Sequence, residues 1–189
     1  MKVLCVDSVG ERPVVYLKPD NTLNLKRLPF FLPDFSDSIV ARLRLAVRVD
    51  RIGKCVERRF ADRYYSQMGV AIEFVAADLL QSAQHEGLPW TFATSFDESL
   101  TISDTVDKSR LLGQLPELRL NGQPSSVCAV SAVSADLVDE ALSYISQTIK
   151  LKTGDWLMLS CGVQSSPIAI GDTLHARIGS DVELSLKVK

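Results

Sequence analysis

The stretch from Ile39 to Val49 limits what this chain can fold into more than any other part of it. Leu43, Leu45, Val47 and Val49 fall at every second position, with Arg42, Arg44 and Arg48 at the positions between. A period of two is that of a β-strand, with one face made for a core and the other basic. A helical period of similar strength runs later through Leu137, Ala141, Leu142, Ile145 and Ile149. Asp136 or Ser134 can cap its start, and Lys150 and Lys152 lie near the negative end of its dipole. The last quarter returns to alternation, with Val182, Leu184, Leu186 and Val188 separated by Glu183, Ser185 and Lys187. Strands and helices in one chain of this length give the reading of an α+β fold.

The remaining elements fit between these anchors. Val3 to Val6 and Val14 to Leu17 read as short opening strands, followed by the turn Pro19-Asp20-Asn21 and a proline-punctuated, irregular stretch from Leu28 to Pro33. Val56, Phe60, Tyr64 and Met68 recur every fourth residue and predict an amphipathic helix. A strand over Val70 to Val75 and a helix over Ala76 to His85 follow, broken at Gly87-Leu88-Pro89-Trp90. Ser99 to Pro116 is polar and loop-like. Asn121-Gly122 carries a hairpin signal, and further strands run over Trp156 to Leu159 and Thr173 to Ile178.

No repeat, low-complexity tract or linker divides the 189 residues, and 46% apolar content suffices for one buried core, so residues 1–189 are expected to form a single domain. Lys and Arg number 21 against 23 Asp and Glu, a balance that provides no net positive field for nucleic acid or anionic lipid. The opening apolar run is too short for a secretory signal, and no later run spans a bilayer. Cys5, Cys55, Cys128 and Cys161 form no C-x-x-C pair, which predicts reduced thiols in the cytoplasm rather than a zinc or redox site. His85 reads as a surface residue in the last turn of a helix, and His175 lies between strand positions near the end. Neither has a second histidine at ligand spacing.

Three strings in fixed order carry a resemblance: Gly87-Leu88-Pro89-Trp90-Thr91-Phe92-Ala93-Thr94-Ser95-Phe96-Asp97, Leu151-Lys152-Thr153-Gly154-Asp155, and Pro167-Ile168-Ala169-Ile170-Gly171-Asp172-Thr173-Leu174. With Arg12 to Pro19, they resemble the fumarylacetoacetate hydrolase family, in particular its small acylpyruvase and oxaloacetate decarboxylase branch. The resemblance implies a mixed β-roll with flanking helices, a homodimer, and one Mg²⁺ or Mn²⁺ that chelates a β-diketo or α-keto acid. It also implies where that metal would sit, on a Glu-x-Glu strand and an Asp on the next, because a hard cation takes anionic oxygens.

In that register the Glu-x-Glu positions are Arg42 and Arg44, and the Asp position is Glu73. Two guanidiniums would repel a divalent cation, so no metal cofactor is expected. The lysine that the family places before Ser-Phe is Thr94. The early segment that supplies a His and Glu to activate water is shortened between Val6 and Pro13, and the Thr-Gly-Thr-Pro loop is replaced by Leu159-Ser160-Cys161-Gly162.

The resemblance and these replacements together predict a degenerate member of the family. In one form Arg42, Arg44, Glu73 and Thr94 bind a small carboxylate; in another Glu73 closes the site by pairing with an arginine. The enzyme alternative acts on a β-diketo or α-keto acid, with Glu73 or Asp78 as base and Cys161 as nucleophile. A third role is that of a structural subunit paired with an active paralogue.

Overall fold

A computed structural model of the chain describes residues 1–9, 12–127 and 131–189, with side chains for 1–7, 13–125 and 131–189. Two sheets carry the architecture. The larger contains β1 (Val3–Val9), β2 (Arg12–Lys18), β3 (Ile39–Arg48), β4 (Gln67–Ala76), β5 (Leu100–Ile102) and β6 (Val106–Asp107). The smaller contains β7 (Pro116–Leu120) and β8 (Gln123–Pro124). β9 (Ser126–Val127) and β10 (Trp156–Gln164) return to the first sheet, and β11 (Thr173–Ile178) and β12 (Val182–Lys187) complete the second.

The large sheet is ordered β2-β1-β10-β3-β4-β5, with β6 on β4 and β9 on β10; the small one is ordered β12-β11-β7-β8. Among the described strands only β1 and β10 pair in parallel, so the large sheet is mixed in direction, as the resemblance implies, while the small one is antiparallel. Leu43, Leu45, Ile72 and Phe74 of the large sheet share one apolar core with Leu174, Ala176, Leu184 and Leu186 of the small one. Among the described residues four α-helices flank them: α1 (Arg58–Ala61), α2 (Ala77–Glu86), α3 (Thr91–Thr94) and α4 (Ala135–Thr148).

The alternation in β3 holds, but its second face is not solvated. β3 is central and nearly every residue in it is buried. Leu43 and Leu45 face the main core, while Ala46 joins Val3, Cys5, Ala71, Leu100 and Met158 in a second cluster on the opposite face. Arg44 therefore lies beneath protein and Arg42 partly so, while Arg48 at the strand end is exposed; the buried guanidinium sets the problem the site has to solve.

The helix expected over Val56 to Met68 is a correction. One α-helical turn, α1, passes into a 3₁₀ turn over Asp62–Tyr64, and β4 starts at Gln67. Met68 pairs with both Val47 and Val106 across β4, so ladder bonds outcompete continuation of the helix there. The expected four-residue α2 break appears as Gly87 at φ +70°, a left-handed helix stop. The stretch Ser99 to Pro116 also differs from a plain loop, since it holds β5, β6 and a 3₁₀ turn over Lys108–Arg110. Asn121 and Gly122 close the β7–β8 hairpin at φ 52° and 79°. Ser134, not Asp136, takes the N-cap position of α4, and Leu137 faces outward while Val138, Ala141, Leu142 and Ile145 are buried.

Candidate functional site

Strand register gathers the polar residues on one face of the large sheet. β1 presents Cys5 and Asp7, β2 presents Tyr16 and Lys18, β10 presents Ser160, β3 presents Arg42 and Arg44, and β4 presents Glu73. Cys5 pairs with Tyr16, Ser160 with Arg44, and Arg42 with Glu73. Residues two apart on a strand share a face, so three (i, i+2) pairs from β1, β2 and β3 converge here.

Arg44 is the hub and its side chain is fully buried. Its Nε donates to Glu73 Oε2 at 2.7 Å, and its Nη2 lies 2.5 Å from the same oxygen. Nη2 also donates to Asp7 Oδ2 at 2.9 Å and to the Tyr16 hydroxyl at 2.8 Å, while Nη1 donates to Asp7 Oδ1 and, at 3.4 Å, to the Val6 carbonyl. One guanidinium on β3 thus ties β4, β1 and β2 together.

Glu73, also fully buried, has both oxygens engaged. The Tyr16 hydroxyl is 3.0 and 3.1 Å from them, and Lys18 Nζ lies 3.1 Å from Oε1. Lys18 donates further to Ser99 Oγ at 2.9 Å and to the Thr94 carbonyl. Trp90 packs edge-on against Tyr16, with ring centroids 6.2 Å apart, and helps cover the cluster. Arg42 lies opposite Glu73 but turns away from it. Its Nε donates to Gln164 at 2.9 Å and its Nη1 to Asp7 Oδ2 at 3.4 Å, with 23% of the side chain exposed.

Charge explains the protonation states. Burial alone would push the carboxyls of Asp7 and Glu73 up; the Arg44 guanidinium overcomes burial and holds both below their ordinary values, helped by Arg42 at Asp7 and by Lys18 at Glu73. Arg44 stays cationic, because Glu73, Tyr16 and Asp7 more than offset its burial. Burial and the neighbouring Glu73 push the Cys5 thiol up to about 12. Three cations, Lys18, Arg42 and Arg44, face two carboxylates, a surplus of +1 located at the partly exposed Arg42.

The residues singled out from sequence therefore have different fates. Arg42, Arg44 and Glu73 do meet, but Arg44 and Glu73 satisfy each other and present no open edge to a ligand. Thr94 contributes its carbonyl to Lys18, while its hydroxyl bonds the Trp90 carbonyl at 3.0 Å, so its side chain does not face a ligand. Asp78 belongs to another structure: its carboxylate accepts from Ser36 Oγ at 2.6 Å and from the Asp37 amide at 3.1 Å, fixing the loop before β3. Cys161, in the segment that replaces the family's loop, lies within a strand. It lies in the irregular part of β10, where the pairing with β3 shifts between Ser160 and Gln164, and burial pushes its thiol up to about 12, the opposite of what a nucleophile needs. Cys128 lies outside the described residues, as do Gly10 and Glu11 of the shortened early segment. His85 is exposed, and His175 pairs with Glu183 at 3.4 Å on the outer face of the small sheet.

Sequence reasoning missed Asp7, Tyr16, Lys18 and Gln164. The spacing of Tyr16 with Lys18, and of Cys5 with Asp7, was a signal that these side chains share a face, but not that the two faces meet. A cleft of about 340 Å³ lies at the edge of the cluster, lined by Asp7 and Ser160 together with Pro13, Leu137, Glu140 and Tyr144.

A mixed α+β roll with a polar cluster on one sheet face is the framework of a known class, and the chain belongs to it: residues 6–187 match the family profile of the fumarylacetoacetate (FAA) hydrolase C-terminal domain. Among curated proteins, the mitochondrial oxaloacetate tautomerase FAHD1 of Mus musculus is 26% identical over 191 residues, spanning 96% of this chain and 83% of that protein. The oxaloacetate tautomerase YcgM of Escherichia coli is 24% identical over 188 residues, spanning 92% and 86%. Among solved structures, the fumarylpyruvate hydrolase of Pseudomonas aeruginosa, in complex with Mn²⁺ and pyruvate, superposes with a TM-score of 0.86 at 19% identity, covering 100% of this chain and 89% of that one. At that identity the likeness is one of fold.

Proposed function

We propose that this chain is a member of the fumarylacetoacetate hydrolase family in which the protein's own guanidinium closes the family's cation site, so that it does not carry metal-dependent chemistry on keto acids. The observation that carries this reading is Glu73. Both its oxygens are held by Arg44, Lys18 and Tyr16, and both oxygens of Asp7 are held by Arg44, with Arg42 as a second partner. A hard divalent cation needs several free anionic oxygens, and here it would meet a guanidinium at contact distance instead. The donor set does not fit Mg²⁺ or Mn²⁺. Among the described residues, no group of three or more His, Cys, Asp or Glu side chains comes together in a metal-binding arrangement.

A small carboxylate, if bound, would have Arg42 alone, since Arg44 is sealed. The reading further takes residues 1–189 as one domain acting as a homodimer, on the basis of the family resemblance and of the half-exposed Leu17, Leu137 and Tyr144 beside the edge strand β2. It also takes the chain as cytoplasmic, supported by three free cysteines among those described and by the lack of any helix, among the described residues, long and apolar enough to cross a membrane.

A second reading keeps catalysis on a β-diketo or α-keto acid. It is favoured by the similarity to oxaloacetate tautomerases along nearly the whole chain and by the cleft at Asp7 and Ser160. One experiment separates the two. Millimolar Mn²⁺ or Mg²⁺ is expected to leave the melting temperature unchanged, whereas binding at a hundred times Kd would add about 2.7 kcal/mol. Oxaloacetate and acylpyruvates are expected to react no faster with the protein than without it. A melting temperature that rises with Mn²⁺ and no longer does so in Glu73→Ala, or saturable turnover of oxaloacetate, would overturn the first reading in favour of the second.

A further inference from the structure

Arg44 reaches further than its neighbours require. It starts on β3, passes the small side chain of Ser160 on β10, and ends on Asp7 and the Val6 carbonyl of β1 and on the Tyr16 hydroxyl of β2. β1 and β2 pair at one edge of the large sheet, and among the described residues β2 has no strand on its far side. That edge hairpin is therefore fastened to the middle of the sheet by side chains as well as by the β1–β10 ladder.

The receptor for the guanidinium is built of two carboxylates, a hydroxyl and a backbone carbonyl, all buried or nearly so. Without Arg44, Lys18 and Arg42 would balance Asp7 and Glu73. A monovalent cation restores the native surplus of +1, whereas a divalent ion raises it to +2 in a desolvated setting. Planar, bidentate geometry to Asp7 also matches a guanidinium better than a spherical ion.

We propose that Asp7, Glu73, Tyr16 and the Val6 carbonyl form a guanidinium-selective site which Arg44 fills from within, and that its occupancy holds the β1–β2 hairpin onto the sheet. The inference rests on the reading that no divalent cation occupies this position.

The test is chemical rescue of Arg44→Ala by guanidinium chloride at millimolar concentration, with urea as the uncharged shape mimic and sodium and manganese chloride as cation controls. Guanidinium is expected to raise the variant's melting temperature by several degrees and to restore amide-exchange protection in Val3–Val9 and Arg12–Lys18, with no effect on the wild type. Urea and Na⁺ should do neither. If Arg44→Ala does not fold alone, the refolded yield with guanidinium against urea gives the same comparison. Asp7→Asn, which keeps Arg44, is expected to lose hairpin protection selectively and to gain nothing from guanidinium. Equal behaviour with guanidinium and urea, or loss of protection spread evenly over the sheet, overturns the proposal. Mn²⁺ stabilising the wild type would instead overturn the reading beneath it, and rescue of the variant by Mn²⁺ in preference to guanidinium would overturn the selectivity.

Discussion

Glu73 gives up its hydration entirely and is compensated by Arg44, Lys18 and Tyr16, so its replacement leaves two buried cations short of a partner. Glu73→Gln, close in shape and neutral, is expected to cost about 3–5 kcal/mol, the range for breaking a buried ion pair. In a domain of this size that is a fall in melting temperature on the order of 10 °C. The pH dependence follows from the directions of the shifts. Asp7 and Glu73 are both held below their ordinary values of 3.8 and 4.5, so their contribution is fully present above those values and is lost as pH falls through the depressed ones. Thermal scans from neutral pH downward should show wild-type stability falling below about pH 4, with a shallower acid limb in Glu73→Gln. Parallel profiles for the two proteins would mean that Glu73 contributes nothing through its charge.

At the scale of elements, α4 shows how a sequence pattern is used. Ala141, Leu142 and Ile145 of the expected stripe enter the core and Ile149 packs against it, but at the start Val138 is buried in place of Leu137. Leu142→Ala is expected to cost about 2–5 kcal/mol and Leu137→Ala under about 1 kcal/mol, read by denaturant unfolding. Similar costs for both would place Leu137 inside after all. The strings that carry the family resemblance are in part structural devices. Gly154 turns at φ +85° so that Asp155, beneath the surface, accepts from the Lys2 and Lys152 amides at 2.8 Å each and pairs with Lys2 Nζ. Asp172 likewise accepts from the Ala169 amide and from Asn121, joining the β11 approach to the β7–β8 hairpin. In both strings an aspartate ties separate parts of the chain together.

For the whole molecule, the face made by β2 and α4 leaves Leu17, Leu137 and Tyr144 half-exposed next to an edge strand. An exposed apolar patch of this kind fits a partner surface, and the homodimer proposed above would bury it. Light scattering at micromolar concentration is expected to give twice the chain mass of 20.8 kDa for the wild type and the single mass for Leu137→Glu/Tyr144→Glu. A wild-type monomer would refute the dimer, and a variant that stays dimeric would move the interface elsewhere.

What the sequence determined by itself was the fold class, the two-residue period of β3, the left-handed stop at Gly87, the Asn121-Gly122 hairpin, and the family, through strings preserved in order. These are local signals, written in neighbours a few residues apart. The family resemblance also placed Arg42, Arg44 and Glu73 at one site, and the antiparallel register of β3 and β4 does bring Arg42 opposite Glu73. Only the tertiary structure decided that Arg44 is sealed, that Asp7, Tyr16 and Lys18 complete its shell, and that Cys161 lies within a strand. Asp7 and Glu73 are separated by more than a third of the chain, and they converge only because β10, from the far end, inserts between β1 and β3. That insertion depends on long-range strand pairing, for which no local period is a sign.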